Sequence, residues 1–372
     1  MRVLLVEPGY TTLNPPLGLM RISTWHKKRG DKVDFVKEEA PPDYFGYSFP
    51  KIKKRYDTIY ITSLFTYHYV EVVTCIKKYQ QLYPDAEIKV GGVMATLLHN
   101  LIGRETGIAP HIGLLMDAEK CPPDYSLFPD LTYSITFTSR GCVRKCKYCV
   151  VPVIEPQFFA RENWEKDVHP SHERIIFWDN NWLASPNFHR DVEKLKCIGK
   201  TYDFNQGLDC RLFDVEKAKL LRQTEIYPLR FAFDNPAQEG YIQRAIQTAK
   251  KEGFNDIRVY VLYNSSEEYD TPEYLYYRLN ELNKLGAAVY PMRYRPIESI
   301  HLHQVSPHWD KGILRGLKLT LVFFYKGGIV KKGREGSLRM LGRNPNEFEQ
   351  KMKEINAYDR TLGRMKNGKR RC

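Results

Sequence analysis

The chain has 372 residues, a formal net charge of +13 and 42% hydrophobic residues. This length predicts two or three domains, and the apolar content suffices for a sizeable core. No run reaches the roughly 18 apolar residues that span a membrane, and residues 2–7 resemble a buried strand rather than a signal peptide. The sequence therefore predicts a cytoplasmic protein with no membrane partner.

The excess of basic residues leaves the class of substrate open. Six of the Lys and Arg residues lie between Arg360 and Cys372, where no acid occurs. A basic chain with 25 tyrosines is compatible with nucleic-acid binding, whereas a solvated basic surface with a disordered tail explains the same charge. An anionic metabolite, an acidic peptide and a nucleic acid are all candidate substrates.

Strands and helices alternate through the first hundred residues. Apolar runs predict four strands, at 2–7, 33–37, 58–63 and 87–90. Amphipathic stretches predict helices at 17–28 and 69–82. This alternation is typical of a Rossmann-like, doubly wound parallel sheet. Ligands of such sheets bind beyond the carboxyl ends of the strands. Five residues are candidates there: Pro8, Thr62, Ser63, Gly91 and Gly92.

Three cysteines are clustered with the spacing C-x3-C-x2-C: Cys142, Cys146 and Cys149. They directly follow a predicted strand at 133–138, and (β/α) barrels carry their active sites at such strand ends. Three close thiolates suit a soft metal centre. A structural zinc ion would need a fourth, remote ligand, and a redox pair of Cys146 and Cys149 would leave Cys142 unexplained. A cubane iron–sulfur cluster takes thiolates readily, and three of them leave one iron open.

The other five cysteines are scattered, and we expect each to be an isolated thiol in a reducing compartment. They are Cys75, Cys121, Cys197, Cys210 and Cys372.

Strand–helix repeats continue after the cysteine loop. Further strands are predicted at 174–178, 200–205, 229–233, 258–263 and 287–292. The intervening helices are predicted at 186–199, 214–224, 237–252 and 272–285. Each strand ends in polar residues, which would lie on one rim. Together with 133–138 these strands make six β/α units, so the predicted α/β fold is a Rossmann-like parallel sheet followed by a partial (β/α)6 TIM-type barrel.

The repeat pattern fades after Pro296. Residues 319–325 predict a strand and 345–358 a helix, with a basic loop before the helix, and these elements would form a small α+β cap. The predicted domains are therefore 1–120, 121–300 and 301–372.

The cysteine loop, with Tyr148 before its last thiol, resembles the signature of the radical S-adenosylmethionine (SAM) superfamily. The resemblance implies that the three cysteines bind a [4Fe–4S] cluster, that the open iron chelates SAM, and that Tyr148 helps to seat the adenine. It implies an external one-electron donor of the flavodoxin or ferredoxin type. Further residues at strand ends are implied to contact SAM or substrate, namely Asp179, Asn180, Asn181, Gln206, Asp209, Arg211 and Asp234. The glycines and glutamate usual in the family are missing from 179–181.

Residues 1–100 resemble the cobalamin-binding domain that precedes many radical SAM enzymes, which implies cobalamin contacts at the five strand-end residues of the first sheet. The cobalt-ligand motif D-x-H-x-x-G is absent, and His26 is predicted to be a surface histidine. Two mechanisms stay open. One is cobalamin-dependent methyl transfer to an unactivated carbon, and the other is cobalamin-independent hydrogen abstraction with a vestigial N-terminal domain. A nucleic-acid-binding protein with a structural metal site is a third hypothesis.

Overall fold

The computed structural model of the protein describes residues 1–12, 14–39, 54–301, 303–325, 336 and 339–368. The chain forms two compact units, the first from Met1–Ile176 and Ile297–Leu302, and the second from Phe177–Pro296 and His303–Cys372. Both units have the α/β character that the sequence predicts, with parallel sheets. Among the described helices, none has the length and apolar character needed to cross a membrane.

The first unit begins with a four-stranded parallel sheet. Its strands are β1 (Arg2–Glu7), β2 (Lys32–Lys37), β3 (Thr58–Ser63) and β4 (Glu87–Gly92), in the order β2-β1-β3-β4. Two helices, α1 (Leu17–Lys27) and α2 (Tyr69–Leu82), connect β1 to β2 and β3 to β4. The predicted parallel sheet with intervening helices is therefore confirmed for this segment.

Strand β1 shows why this sheet is buried on both faces. Successive side chains of a strand point to opposite faces. Leu4 and Val6 accordingly join one apolar cluster with α2, whereas Val3 and Leu5 join another with α1. A strand covered on both faces needs a continuous apolar run, and residues 3–6 supply one.

The prediction that His26 is a surface histidine is wrong. The residue is 2% exposed, and its Nδ1 and Nε2 lie 2.7 Å from Asp31 Oδ2 and 3.1 Å from the Tyr60 hydroxyl. Both ring nitrogens are therefore satisfied by side chains from outside α1. The hydrogen bond to His26 lowers the pKa of Asp31. The helical position alone does not reveal these partners, because Tyr60 comes from β3.

The rest of the first unit is built from short elements. Helices α3 (Val93–Leu97), α4 (His99–Thr106) and α5 (Met116–Glu119) follow β4. Strands β5 (Tyr133–Thr136) and β6 (Ser139–Arg140) come next, followed by helix α6 (Val151–Ile154) and strand β7 (Phe159–Ala160). Strands β6 and β7 pair antiparallel. The division between the units falls within strand β8 (Arg174–Phe177).

The second unit continues the alternation. Its strands are β9 (Thr201–Phe204), β10 (Glu225–Ile226), β11 (Leu229–Ala232), β12 (Ile257–Tyr263) and β13 (Ala288–Arg293). Its helices are α7 (Phe188–Ile198), α8 (Val215–Arg222), α9 (Tyr241–Lys251), α10 (Pro272–Lys284), α11 (Lys311–Tyr325) and α12 (Pro345–Gly368). The sequence does not predict the two-residue strand β10.

Parallel pairing dominates the strands that follow β7. Strands β11, β12 and β13 form one sheet in that order through parallel pairs, and β9 pairs in parallel with β10. Leu208 and Phe231 form an isolated parallel bridge.

The spacing of buried residues, helical in some segments and alternating in others, explains these elements. Helix α9 buries residues at i, i+3, i+4 and i+7, namely Ile242, Ala245, Ile246 and Ala249. Burial along β12 alternates with period two, as expected of a strand with one covered face. Because parallel strands share one direction, the polar residues that follow them gather at a common edge of each sheet.

The prediction of a strand at 319–325 is wrong, because these residues belong to α11. Helical burial begins before the apolar run, since Ile313, Leu314 and Leu317 are all buried. That spacing places the three side chains on one face of a helix. In the described residues after Pro296 we find helices α11 and α12 and no strand, so the predicted α+β cap is helical there.

The basic tail was predicted to be disordered, but α12 continues to Gly368. Helices α11 and α12 pack closely, because Gly316 carries no side chain. A Cβ at Gly316 would lie 2.0 Å from the carbonyl oxygen of Met352. The predicted basic loop at 331–334 lies outside the described residues.

Candidate functional site

The cysteine loop (residues 141–158) connects β6 to β7 in the first unit. The pairing of Arg140 with Phe159 brings its two ends together. Gly141 has a φ of +74°, and a Cβ there would lie 2.1 Å from the carbonyl oxygen of Gln157. The turn into the loop therefore requires glycine on both conformational and steric grounds.

The three thiols of the loop are half-buried. The backbone N–H of Arg144 donates to Cys142 Sγ at 3.3 Å, and the backbone N–H of Cys149 donates to the Cys146 carbonyl at 3.1 Å. Tyr148 is also half-buried. The thiolate is the form of cysteine that binds metals.

The donor set fits an iron–sulfur cluster by its chemistry. Three soft thiol donors lie within eight residues, and hydrogen bonds to sulfur are one of the means by which proteins tune such clusters. Among the described residues, no three Cys, His, Asp or Glu side chains converge closely enough to hold a metal ion. The fit therefore lies in the kind of donor and its spacing along the chain.

The remaining described cysteines agree with the prediction of isolated thiols. Cys75, Cys121 and Cys210 are buried, Cys197 is exposed, and none of the seven described cysteines forms a disulfide. Burial raises the pKa of Cys210 to about 12. Cys372 lies outside the described residues.

Three predicted site residues of the second unit are joined by hydrogen bonds, and the charge of Arg211 acts on a fourth; we refer to the four as the strand-end group, namely Asn181, Asp209, Arg211 and Asp234. Asn181 Nδ2 donates to Asp209 Oδ2 at 3.2 Å. Arg211 donates to both carboxylate oxygens of Asp209, from Nε at 2.7 Å and from Nη2 at 3.1 Å. Burial raises the pKa of Asp234, and the charge of Arg211 opposes this rise.

Asp234 follows β11 and is hydrogen-bonded to Leu262 of β12 and to Gln238. The residue is half-buried, and burial of its carboxyl raises its pKa to about 6, although a 2.8 Å hydrogen bond from the Leu262 N–H and the charge of Arg278 both lower it. Gln238 Oε1 accepts the backbone N–H of Asp234 at 2.6 Å. The carboxyl group therefore changes protonation closer to neutral pH than an ordinary aspartate does.

Arg278 is a supporting residue that the sequence does not predict. It is fully buried, donates to the carbonyl oxygens of Phe233 and Leu262 at 3.0 and 2.9 Å, and pairs with Asp270 at 3.2 Å. It also donates to the Asp234 carbonyl at 3.1 Å. The available signal was an arginine on the apolar face of α10, but nothing local in the sequence says which carbonyl groups it meets.

The other predicted SAM contacts lie in the segments that follow β8 and β9. Asp179 is buried, and Asn180 precedes Asn181 in the segment that follows β8. Gln206 is exposed, and its amide donates to the neighbouring Asn205 at 3.2 Å. Their assignment to SAM stays a prediction.

The proposed cobalamin contacts lie at the carboxyl edge of the first sheet. Ser63 Oγ donates to the Gly91 carbonyl at 2.9 Å and accepts the Ala95 N–H at 2.9 Å. Gly92 has a φ of +108°, and a Cβ there would lie 2.1 Å from the Ser63 carbonyl oxygen. The glycine is therefore explained by contact between β3 and β4. The assignment of this edge, with Pro8 and Thr62, to cobalamin stays a prediction.

No family model matches the chain, and no curated protein matches it in sequence. Solved structures resemble parts of it. HydG, a maturase of the [FeFe]-hydrogenase, is 16% identical with a TM-score of 0.37, covering 52% of this chain and 50% of its own. Coproporphyrinogen III oxidase (HemN) from Escherichia coli, a radical SAM enzyme, is 14% identical with a TM-score of 0.37, covering 54% of each chain.

The cobalamin-dependent S-adenosylmethionine radical enzyme OxsB is 12% identical with a TM-score of 0.47, covering 90% of this chain and 56% of its own. The chain thus spans about half the length of each of the three proteins. At these identities and TM-scores, the similarities do not establish a family for the chain.

Proposed function

We propose that the chain is a radical SAM enzyme. The observation that carries the proposal is the loop between β6 and β7, which presents Cys142, Cys146 and Cys149 at the spacing C-x3-C-x2-C just after β5. A chain with three clustered thiols and no fourth cysteine in the same loop suits a cluster that keeps one iron open for a small ligand.

The fold we propose for this activity is a Rossmann-like sheet followed by a partial (β/α)6 barrel. The alternation of strands β5, β8, β9, β11, β12 and β13 with helices, and the parallel pairing of β9 with β10 and of β12 with β11 and β13, support it. The domain boundaries at residues 120 and 300 belong to the same proposal.

In this function the thiolates of the three cysteines would bind a [4Fe–4S] cluster. The cluster, when bound with SAM and reduced by an external one-electron donor, supplies reductive cleavage of SAM to methionine and a 5′-deoxyadenosyl radical. Arg144 and its neighbours Lys145 and Lys147 add positive charge beside the thiols, which would raise the reduction potential of the cluster. Tyr148 would contribute to the adenine site.

The strand-end group would bind polar parts of SAM or substrate. Asp209 is already oriented by Asn181 and Arg211 through hydrogen bonds, so it needs little rearrangement to accept a ligand. Asp234 would bind an amino group as a carboxylate above pH 6 or hold a proton below it.

Cobalamin-dependent methyl transfer is the more specific form of the proposal, and cobalamin-independent hydrogen abstraction is its alternative. The contacts of Ser63 and Gly92 within the first sheet do not require a ligand there. An ultraviolet–visible spectrum after anaerobic incubation with cobalamin separates the two. If no cobalamin is retained, methyl transfer through it is excluded.

Anaerobic reconstitution tests the whole proposal. We expect about four iron and four sulfide ions per chain, and release of 5′-deoxyadenosine from SAM under reducing conditions. Cys142→Ala should abolish cleavage, whereas Cys197→Ala, which changes an exposed cysteine outside the loop, should not. A colourless, zinc-loaded protein that leaves SAM intact would favour the alternative of a nucleic-acid-binding protein with a structural metal.

A further inference from the structure

One carboxylate closes the base of the cysteine loop. Glu155 follows α6 and accepts the backbone N–H of Gly141 at 2.7 Å with one oxygen. Its other oxygen pairs with Arg140 Nη2 at 2.8 Å. Gly141 directly precedes Cys142, the first thiol, and Glu155 comes after Cys149, the last. We call Arg140, Gly141 and Glu155 the loop clasp, because they join the two ends of the segment that carries the thiols.

The loop clasp is buried. Arg140 is 5% exposed and Glu155 is 8% exposed. Charge-assisted hydrogen bonds of this length are strong, and they are stronger away from water. The backbone of Gly141 adds a second constraint, because its φ of +74° and its contact with the Gln157 carbonyl admit no larger residue. The direction in which the chain leaves β6 is therefore fixed by the conformation of Gly141 at the start of the loop and by Glu155 and Gln157 near its end.

Arg140 has contacts that do not depend on Glu155. Its guanidinium lies 3.8 Å from the centre of the Phe137 ring, and its Nε is 3.7 Å from Glu119 Oε1. The same Glu119 oxygen is 3.9 Å from Arg161 Nε. Arg140 therefore keeps a charged and an aromatic neighbour when Glu155 is changed, so a substitution at Glu155 disturbs the clasp more than the surrounding core.

We propose that Glu155 is a positioning residue for the cysteine loop. By fixing Arg140 and Gly141 it determines where Cys142 stands relative to the other two thiols, and it thereby controls cluster uptake and the reduction potential of the bound cluster. This inference rests on the proposed function, and Glu155 itself contacts neither cluster nor SAM in it. Groups that orient metal ligands change metal affinity about 10–100-fold, and charge close to an iron–sulfur cluster shifts its potential.

Two substitutions separate the hydrogen bond of Glu155 from its charge. Glu155→Gln keeps an oxygen that can accept the Gly141 N–H but removes the negative charge, whereas Glu155→Ala removes both. Glu173→Gln is the matched control, since Glu173 is an exposed acid of the same unit. All three variants are made in the full chain, and circular dichroism verifies that each is folded.

The first readout uses the apo protein. The rate at which iodoacetamide alkylates Cys142 is measured by mass spectrometry, with the exposed Cys197 as internal standard. The second readout is iron and sulfide retained after anaerobic reconstitution and exposure to a chelator. The third is the reduction potential of the cluster, from a titration followed by electron paramagnetic resonance.

We expect Glu155→Ala to raise the relative alkylation of Cys142 several-fold and to weaken iron retention about 10–100-fold. Glu155→Gln should leave alkylation near the wild-type rate but shift the potential upward, because a negative charge beside the loop is lost. Alkylation, retention and potential equal to those of Glu173→Gln in both variants would overturn the proposal. If Glu155→Ala does not fold, Glu155→Gln alone tests the proposal. A cluster reduction potential equal to that of the wild type would then overturn the proposal.

These outcomes are distinct from failure of the proposed function. A wild-type chain that takes up no iron and sulfide would refute the cluster, and the clasp would then be refuted as a device for cluster uptake. A wild-type chain that binds the cluster and cleaves SAM, with Glu155 variants indistinguishable from the control, would refute the clasp alone.

Discussion

The cysteine loop and the strand-end group build their chemistry in opposite ways. The loop brings three thiols within eight consecutive residues, so its ligands are visible in the sequence. The strand-end group takes Asn181, Asp209 and Asp234 from segments that follow different strands. A site built from a local motif can therefore be identified from the sequence, whereas a site assembled from distant segments is recognised only when its contacts are known.

The two regions also differ in what holds them. The thiols are half-buried, and the loop is secured at its base by Glu155. The strand-end group stands next to Arg278, which is fully buried and binds several carbonyl groups. We therefore expect substitutions around Asp234 to affect folding stability and pH dependence, and substitutions of the thiols to affect ligand uptake with little loss of stability.

The largest effect is expected at Arg278. Replacing it in Arg278→Met leaves Asp270 as a buried carboxylate without its guanidinium and removes donors from the carbonyl groups of Phe233 and Leu262. Breaking a buried ion pair by removing one partner costs about 3–5 kcal/mol. Urea unfolding followed by circular dichroism should show a loss of this size.

Lys284→Met is the control for that measurement, because Lys284 is an exposed basic residue of the same helix. It should change the free energy of unfolding by less than about 0.5 kcal/mol. Equal effects of the two substitutions would contradict the view that Arg278 stabilises the strand ends.

Asp234 should make stability fall as pH rises. Its pKa in the folded protein is raised from 3.8 to about 6, so the folded state binds the proton more tightly than the unfolded state. Below about pH 4 both states are protonated and the residue contributes nothing to this dependence. Stability is lost between about pH 4 and 6, and the full loss, up to about 3 kcal/mol, persists above pH 6.

Asp234→Asn should abolish this dependence and make the variant more stable than the wild type at pH 7, with the two converging at pH 4. The asparagine oxygen can still accept the Leu262 N–H. Glu225→Gln, which changes an exposed acid of the second unit, is the control. A difference between Asp234→Asn and wild type that does not vary with pH would contradict the raised pKa.

The sequence predicted the elements far better than the supports of the site. The parallel strands and the helices between them follow from periodicity, and β1 and α2 lie at their predicted positions. The prediction of a strand at 319–325 is wrong because the apolar character of these residues suits either element; they lie in α11, whose Gly316 packs against Met352 of α12. His26, Arg278 and Glu155 owe their roles to partners elsewhere in the chain, which no local pattern specifies.

We expect alanine to be tolerated less well at Gly141, in the cysteine loop, than at Gly107 of the same unit. Both glycines have positive φ, +74° and +72°, but a Cβ at Gly141 meets the Gln157 carbonyl oxygen whereas a Cβ at Gly107 meets nothing within 4 Å. Gly107→Ala should therefore cost about 1 kcal/mol from its conformation, and Gly141→Ala about 2 kcal/mol or more.

The free energy of unfolding and the iron retained after reconstitution are measured for both glycine variants. Only Gly141→Ala should also reduce iron retention. Equal iron retention in the two variants would show that the geometry at the start of the loop does not matter for cluster uptake.

The smallest effect on stability is expected for Arg211→Lys, and here the structure supplies a close control. Arg211 binds both oxygens of Asp209 two residues before it, and Arg258 binds both oxygens of Asp256 in the same way, outside the strand-end group. A lysine cannot reproduce the two parallel hydrogen bonds. Each substitution should therefore cost about 0.5–1 kcal/mol of stability, while only Arg211→Lys should weaken the binding of SAM to the reconstituted enzyme, measured by equilibrium dialysis. Equal SAM affinity in Arg211→Lys and Arg258→Lys would remove Arg211 from the proposed site, because each variant loses a bidentate pair with an aspartate two residues earlier.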